Sequence, residues 1–274
     1  MGRCNSQMNV VIGIGDSWTQ GQGGYPDHIW SQYKGNVDVP MGKDEHLFTY
    51  ELENSWVNVL CRDHITDHTP VNLGMRGCGN RGAVRQLYFI DKKIRDNISG
   101  GYLIFLLSGW DRFDFFSKNM LQQHYPYNTV YPYDNGNKLW KLYFEEAHSQ
   151  ESVITETLCC ILEAQTFAKA HNLKFIFANA FDPRGIEEFN MFSNLAEQID
   201  FNNYLNGHVD YKTFVDKLML LDGYSKEQLS NAYTICRELT KPNKHMTKCF
   251  HPTVDGYKII AYELYSFITR VTHG

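Results

Sequence analysis

The sequence predicts an α/β protein built on a parallel sheet, and three observations carry that. Short apolar runs alternate with longer stretches of helical periodicity, the pattern of successive βαβ units. One run, Tyr102-Leu-Ile-Phe-Leu-Leu107, is apolar throughout, as befits a strand buried on both faces. Polar and glycine-rich segments follow the apolar runs, and such sheets bind ligands at the carboxyl ends of their strands.

The first expected strand covers residues 9–14. The apolar run from Met8 to Ile12 is too short for a signal-peptide core and leads straight into Gly-Ile-Gly-Asp. Residues 71–73, 102–107 and 174–178 are the next three strands. A helix is expected over 55–65, where Trp56, Val59 and Leu60 share a face. Another is expected over 83–98, where Val84, Leu87, Ile90 and Ile94 fall at helical spacing. The longest spans 152–170, with Ile154, Leu158, Ile161, Leu162 and Phe167. The last spans 254–271, with Ile259, Ile260, Leu264 and Phe267.

Three stretches read as insertions, at about 22–54, 113–148 and 182–248. The first is rich in Gly, Asp and His. The second carries Tyr125, Tyr127, Tyr131, Tyr133 and Trp140 among Asn, Pro and Gly. The third holds short helices, one starting at Ser225 with Gln228 placed to reach back to it. With no repeat and no low-complexity linker, residues 1–274 read as a single domain.

Composition narrows the function classes. The chain is 43% hydrophobic and 21% charged, which leaves ample material for a core. Its 26 basic and 31 acidic residues give a formal charge of −5, so nothing draws it generally to nucleic acid or an anionic membrane. No apolar run reaches the ~18 residues of a transmembrane helix. Seven cysteines, an odd number, form no CxxC pair, and no secretion signal is visible. A reducing compartment is expected, cytoplasmic or on a virion.

Four segments could carry chemistry. Gly15-Asp16-Ser17-Trp18 leaves the first strand, where a helix N-terminus would favour negative charge beside Ser17. Ser17 could equally be a simple N-cap. Asn72-Leu-Gly-Met-Arg-Gly77-Cys78-Gly79-Asn80 follows the second strand, and Gly77, Gly79 and Gly82 spell a GxGxxG that could cradle a pyrophosphate. Ser108-Gly109-Trp110-Asp111-Arg112 follows the third, either as a polar site or as a turn in which Asp111 and Arg112 pair with each other or with neighbours. Cys249-Phe250-His251-Pro252 precedes the last helix, and an imidazole there suits a general base.

The order of these segments resembles the SGNH (GDSL-type) hydrolase superfamily: Gly-Asp-Ser early, Asn-Leu-Gly-x-x-Gly second, Ser-Gly-Trp-Asp third, His-Pro late. The resemblance runs from Ile12 to about Tyr262. It implies a flavodoxin-like three-layer α/β/α sandwich with a central parallel sheet. It also implies hydrolysis of esters or thioesters without metal or cofactor. By position, Ser17 would be the nucleophile and His251 the base, with the backbone N–H groups of Ser17 and Gly77 in the oxyanion hole. Two departures stand out. The family's third block usually reads Gly-x-Asn-Asp, and Trp110 occupies the Asn position; Trp110, Arg112 or Ser108 would then supply the donor, and some phage-encoded members look similar. The family's Asp three residues before the His is Lys248 here. A backbone carbonyl could orient His251 in a Ser–His dyad, or a carboxylate such as Asp182 could approach. Asp16 and Asp111 complete the candidate site residues.

The expected substrate is a small-molecule or carbohydrate ester. The tyrosine-rich second insertion suggests a wall for a sugar ring and hence a carbohydrate O-acetylesterase; ordinary packing explains those rings equally well. Lys248 and Trp110 motivate an alternative: a catalytically silent binding protein, for a glycan or within a virion or surface assembly. A nucleotide site at Gly77, Gly79 and Gly82 is a third reading, and a cysteine hydrolase at Cys249 or Cys78 a fourth. His64 and His68, flanked by Asp63 and Asp67, would suit a metal only on a continuous helix. Oligomeric state is open.

Overall fold

The computed structural model describes residues 7–25, 45–116, 127–130, 138–184, 186–239 and 242–273. Six strands are described: β1 (Met8–Ile14), β2 (Thr69–Asn72), β3 (Ile98–Leu107), β4 (Phe113–Phe116), β5 (Tyr127–Val130) and β6 (Lys174–Asn179). Four of them form an all-parallel sheet in the order β2–β1–β3–β6, while β4 and β5 pair antiparallel on their own. β3 begins earlier than its apolar run suggests, because Gly100 and Gly101 pair with Asn9 and Val10 of β1. Beyond β6, Tyr204 meets Phe177 in a single parallel bridge.

The helices are α1 (Ser17–Gln20), α2 (Glu45–Asn54), α3 (Trp56–Asp63), α4 (Asn80–Arg85), α5 (Lys92–Arg95), α6 (Lys138–Glu146), α7 (Gln150–Ala170), α8 (Phe214–Leu221), α9 (Ala232–Glu238) and α10 (Val254–His273). Short helical turns fill 186–207. Strand side chains alternate between faces, so each strand feeds two cores. Val10, Ile12, Leu103, Phe105, Phe175 and Phe177 pack with Val84 of α4 and with Ile154, Leu158 and Ile161 of α7. Val11, Ile104, Leu106 and Ile176 pack on the other side with Trp56 and Leu60 of α3, Leu218 of α8 and Leu264 of α10. Helices cover both faces of a parallel sheet, and this is the three-layer sandwich expected. Among the described residues no helix is long and apolar enough to cross a membrane.

The expected helix over 83–98 is a correction. α4 ends at Arg85, a 3₁₀ turn covers Gln86–Phe89, and α5 restarts at Lys92. Ile90 and Asp91 are non-helical between them, and the Asp91 carboxylate caps α5 by accepting from Lys93 N at 2.7 Å. The apolar spacing still holds for burial, since Val84, Leu87 and Ile90 reach the core. α7 starts slightly earlier than expected, because Ser149 and Ser152 form a reciprocal capping box. In the third insertion Gln228 does reach back, accepting from Ser225 N at 2.8 Å.

His64 and His68 do not share a helix. α3 stops at Asp63, His64 stacks on Tyr265 of α10, and the His68 Nδ1 pairs with Asp67 at 2.8 Å. Of the aromatic set proposed for a sugar, Tyr125, Tyr131 and Tyr133 lie outside the described residues, as do the side chains of Tyr127 and Trp140.

Candidate active site

The carboxyl edge of the sheet gathers the exits of β1, β2, β3 and β6. The chain leaving β1 turns into α1, and the residue capping that helix is Asp16: its Oδ1 accepts from Trp18 N at 3.0 Å. Ser17 is thus the first residue of the helix, and its hydroxyl has no capping duty. The backbone N–H of such a residue has no acceptor within its own helix. The Ser17 Oγ lies 2.8 Å from the Nε2 of His251, a residue 234 positions away.

His251 sits on a short loop that closes on itself before α10. Thr247 N donates to His251 O at 2.8 Å, and His251 N donates to Thr247 Oγ1 at 3.1 Å. Phe250 takes a left-handed conformation, φ 63°, to turn the chain into the histidine. Such backbone conformations cost energy and persist where surrounding packing enforces them; here the Phe250 ring meets Trp18, Phe181 and Tyr233. Burial pushes the His251 pKa down to about 4, with the positive charges of Arg76 and Arg112 acting in the same direction. The Asp16 carboxylate and the Cys249 backbone oppose that shift. No group among the described residues meets the buried Nδ1 with hydrogen-bond geometry. Imidazole is therefore the neutral, proton-accepting form at pH 7.

Asp16 is fully buried, and its Oδ2 receives the Arg112 guanidinium at 2.6 Å. The same Arg112 nitrogen donates to Cys78 O at 3.0 Å and to Ser108 Oγ at 2.8 Å. Ser108 Oγ stands within hydrogen-bond reach of both Asp16 Oδ2 and Cys78 O. Ser108 N in turn donates to Asn80 Oδ1 at 2.8 Å. These contacts tie the exits of β1, β2 and β3 together under Ser17. Arg112 and Asp111 do not pair with each other: Asp111 is exposed and lies 3.4 Å from Arg184.

A second polar cluster holds the described end of the first insertion. The buried Glu51 of α2 accepts from Tyr25 and Arg76 and, at 3.2 Å, from Gln20 Nε2. Arg76 N donates to Gln20 Oε1 at 3.1 Å. Arg76 precedes Gly77, whose φ of 73° lies in the left-handed region that favours glycine. The loop after β2 is thereby fixed beside the Ser17–His251 pair.

No family model matches the chain, and no curated protein does. Solved structures resemble it at low identity. One is the psychrotrophic esterase EstA from Pseudoalteromonas sp., inhibited by monoethylphosphonate: 13% identity, TM-score 0.46, covering 97% of this chain and 100% of that one. A second is TesA, with 10% identity, TM-score 0.45, and coverage of 95% and 98%. A third is the acetyl xylan esterase Est2A from the rumen bacterium Butyrivibrio proteoclasticus, with 11% identity and TM-score 0.44. That match covers 97% of this chain but only 65% of the longer Est2A chain. What this site can do follows from its own geometry.

Several sequence candidates are occupied elsewhere. Trp110 is buried, its ring stacked on Phe189 with the Arg184 guanidinium 4.8 Å from the ring centroid, and its backbone N donates to Asp182. Asp182 is paired with Arg184 rather than with His251. The GxGxxG amides already hold an anion: Gly79 N and Gly82 N donate to the buried Asp114 carboxylate at 2.9 and 2.7 Å. A Cβ on either glycine would come within 2.9 Å of that carboxylate, so both are there to admit Asp114. Cys78 is buried, its thiol pKa is raised by burial, and it donates to Gly15 O. Cys249 Sγ lies 3.1 Å from Thr247 Oγ1.

Sequence reading missed Glu51, Asp114, Thr247 and the buried pair Asp222–His245. Thr247 has a local signal, since a threonine four residues before His251 can cap the turn that presents it. The others pair across long separations with no periodic trace.

Proposed function

We propose that this protein is a serine ester hydrolase working through a Ser17–His251 dyad. The observation that carries the reading is the 2.8 Å contact between Ser17 Oγ and His251 Nε2 at a strand exit. Ser17 Oγ attacks the ester carbonyl carbon as its proton passes to His251 Nε2. The resulting oxyanion is received by the backbone N–H groups of Ser17 and Gly77. Collapse expels the alcohol, which takes the proton from the imidazolium, and leaves an acyl-enzyme. Water, deprotonated by His251, then attacks that ester and frees Ser17.

Arg112 and Ser108 serve here by holding Asp16 in place, and Asp16 in turn favours the imidazolium that forms. Trp110 has no part in the oxyanion hole of this reading. The substrate class is a carbohydrate O-acetyl ester, on the strength of the tyrosine-rich second insertion. The lysine at 248, where the resembled family places an orienting carboxylate, favours one second reading, a silent binding protein on the same fold.

Hydrolysis of 4-nitrophenyl acetate separates the two. His251→Ala is expected to lower the wild-type rate roughly 100-fold, the lower end of what a positioned general base contributes. A wild-type rate no higher than those of Ser17→Ala and His251→Ala would overturn the hydrolase.

A further inference from the structure

Among the described residues no carboxylate meets the His251 Nδ1, and the backbone of its own loop, at Cys249, acts on the ring instead. Residues 247–251 are closed internally by the Thr247 contacts, so the tip moves as a unit with its stem. The stem is a clip. Met246 and Pro252 face each other in an antiparallel bridge, and Thr253 N donates to His245 O at 2.9 Å. That clip is fastened to the body at His245. Its backbone N donates to Asp222 Oδ1 at 3.1 Å, and its ring Nδ1 lies 2.7 Å from the same oxygen.

Asp222 is the C-cap residue of α8, and its side chain is 2% exposed. A carboxylate is poorly placed at a helix C-terminus, where the helix dipole is negative. Burying it there without partners would be costlier still. Among the described residues its side-chain partners are the backbone N and the ring Nδ1 of His245. The placement is unfavourable for α8 taken alone, yet it anchors the stem of the loop that carries the base.

Resting on the dyad reading above, we propose that Asp222 and His245 are the positioning pair for His251. They replace, through the backbone of the loop, the orienting carboxylate that Lys248 displaces from the sequence. Neither residue touches the reacting atoms.

The test is the rate of covalent labelling by a fluorophosphonate, with melting temperature recorded for each variant. Wild type comes first: if it does not label, the dyad reading itself fails, before any variant is made. If it labels, Asp222→Ala is expected to slow the maximal labelling rate at least tenfold, with the half-saturating probe concentration little changed. Asp222→Asn keeps an acceptor for His245 and is expected to recover most of that rate. Phe267→Leu, in the core under α10, should lower the melting temperature and leave labelling intact. A folded Asp222→Ala that labels at the wild-type rate overturns the proposal. So does an Asp222→Asn as slow as the alanine variant, or a Phe267→Leu that loses labelling in proportion to stability.

Discussion

In the proposed dyad, Ser17 and His251 meet because each is held by residues outside the reaction. Asp16 takes the capping duty that would otherwise fall to Ser17, and Arg112 balances the charge that Asp16 buries. Removing one partner of a buried ion pair leaves the other uncompensated, typically at a cost of about 3–5 kcal/mol. Arg112→Ala is therefore expected to shift the urea unfolding midpoint strongly, and Asp111→Ala, whose exposed carboxylate makes only a 3.4 Å contact to an Arg184 already paired with Asp182, far less. The lowered pKa of His251 has its own consequence. Desolvation disfavours the protonated form, so the base stays neutral as the medium is acidified. Esterase activity should persist below the ordinary histidine range and fall only near pH 4, in a pH–rate profile of kcat/KM. The same shift makes the native chain bind protons less readily than the unfolded one. Its contribution to stability is thus lost as pH falls from about 6.5 to about 4. Ser17 and His251 were legible in the sequence because each sits in a short local pattern, a Gly-Asp-Ser after an apolar run and a His-Pro before a helix. Trp110 and Asp182 were legible only as neighbours of a strand exit. Position in the chain does not say which way a side chain turns, and theirs turn to Phe189 and Arg184.

At the level of elements, the turn into α4 shows how a nucleotide-like signature can be satisfied internally. The glycines make room for Asp114 of β4, which accepts two amides at the start of α4. Asp114→Ala would leave both N–H groups buried without that acceptor. A loss of about 3 kcal/mol is expected, since hydrogen bonds to charged groups are worth more than neutral ones, with the urea midpoint as the readout. Adding a nucleoside diphosphate should leave the melting temperature unchanged. Strands β1, β3 and β6 were legible because continuous apolar runs mark burial on both faces, whereas β2, expected at 71–73, lies at Thr69–Asn72, where only Val71 is buried and no apolar run marks its start. The helix over 83–98 was legible in its spacing and not in its continuity: a 3.6-residue period reports which side chains face the core, and Ile90 satisfies that from a non-helical backbone. The β4–β5 pair was not legible, since each strand is only four residues long and the two are separated by a stretch without a short hairpin turn signature.

The whole molecule makes the site by closing the first strand's exit against the start of the last helix. β1 supplies Ser17, the loops after β2 and β3 lock Asp16, and α10, packed on Trp56 and Leu60 of α3, delivers the His251 loop. Long-range pairings of this kind leave no mark in local sequence, which is why Glu51, Asp222 and His245 emerge only from the folded chain. They also make reactivity a property of the native state: a serine whose base lies 234 positions away is ordinary once the chain unfolds. The central claim is that folding turns Ser17 into a nucleophile. Its most direct test is intact-mass analysis after fluorophosphonate treatment of wild type and Ser17→Ala, each native and in urea. The expected result is one adduct on native wild type, absent from native Ser17→Ala and from both proteins in urea. Folded wild type without an adduct, or an adduct that survives in Ser17→Ala, would contradict it.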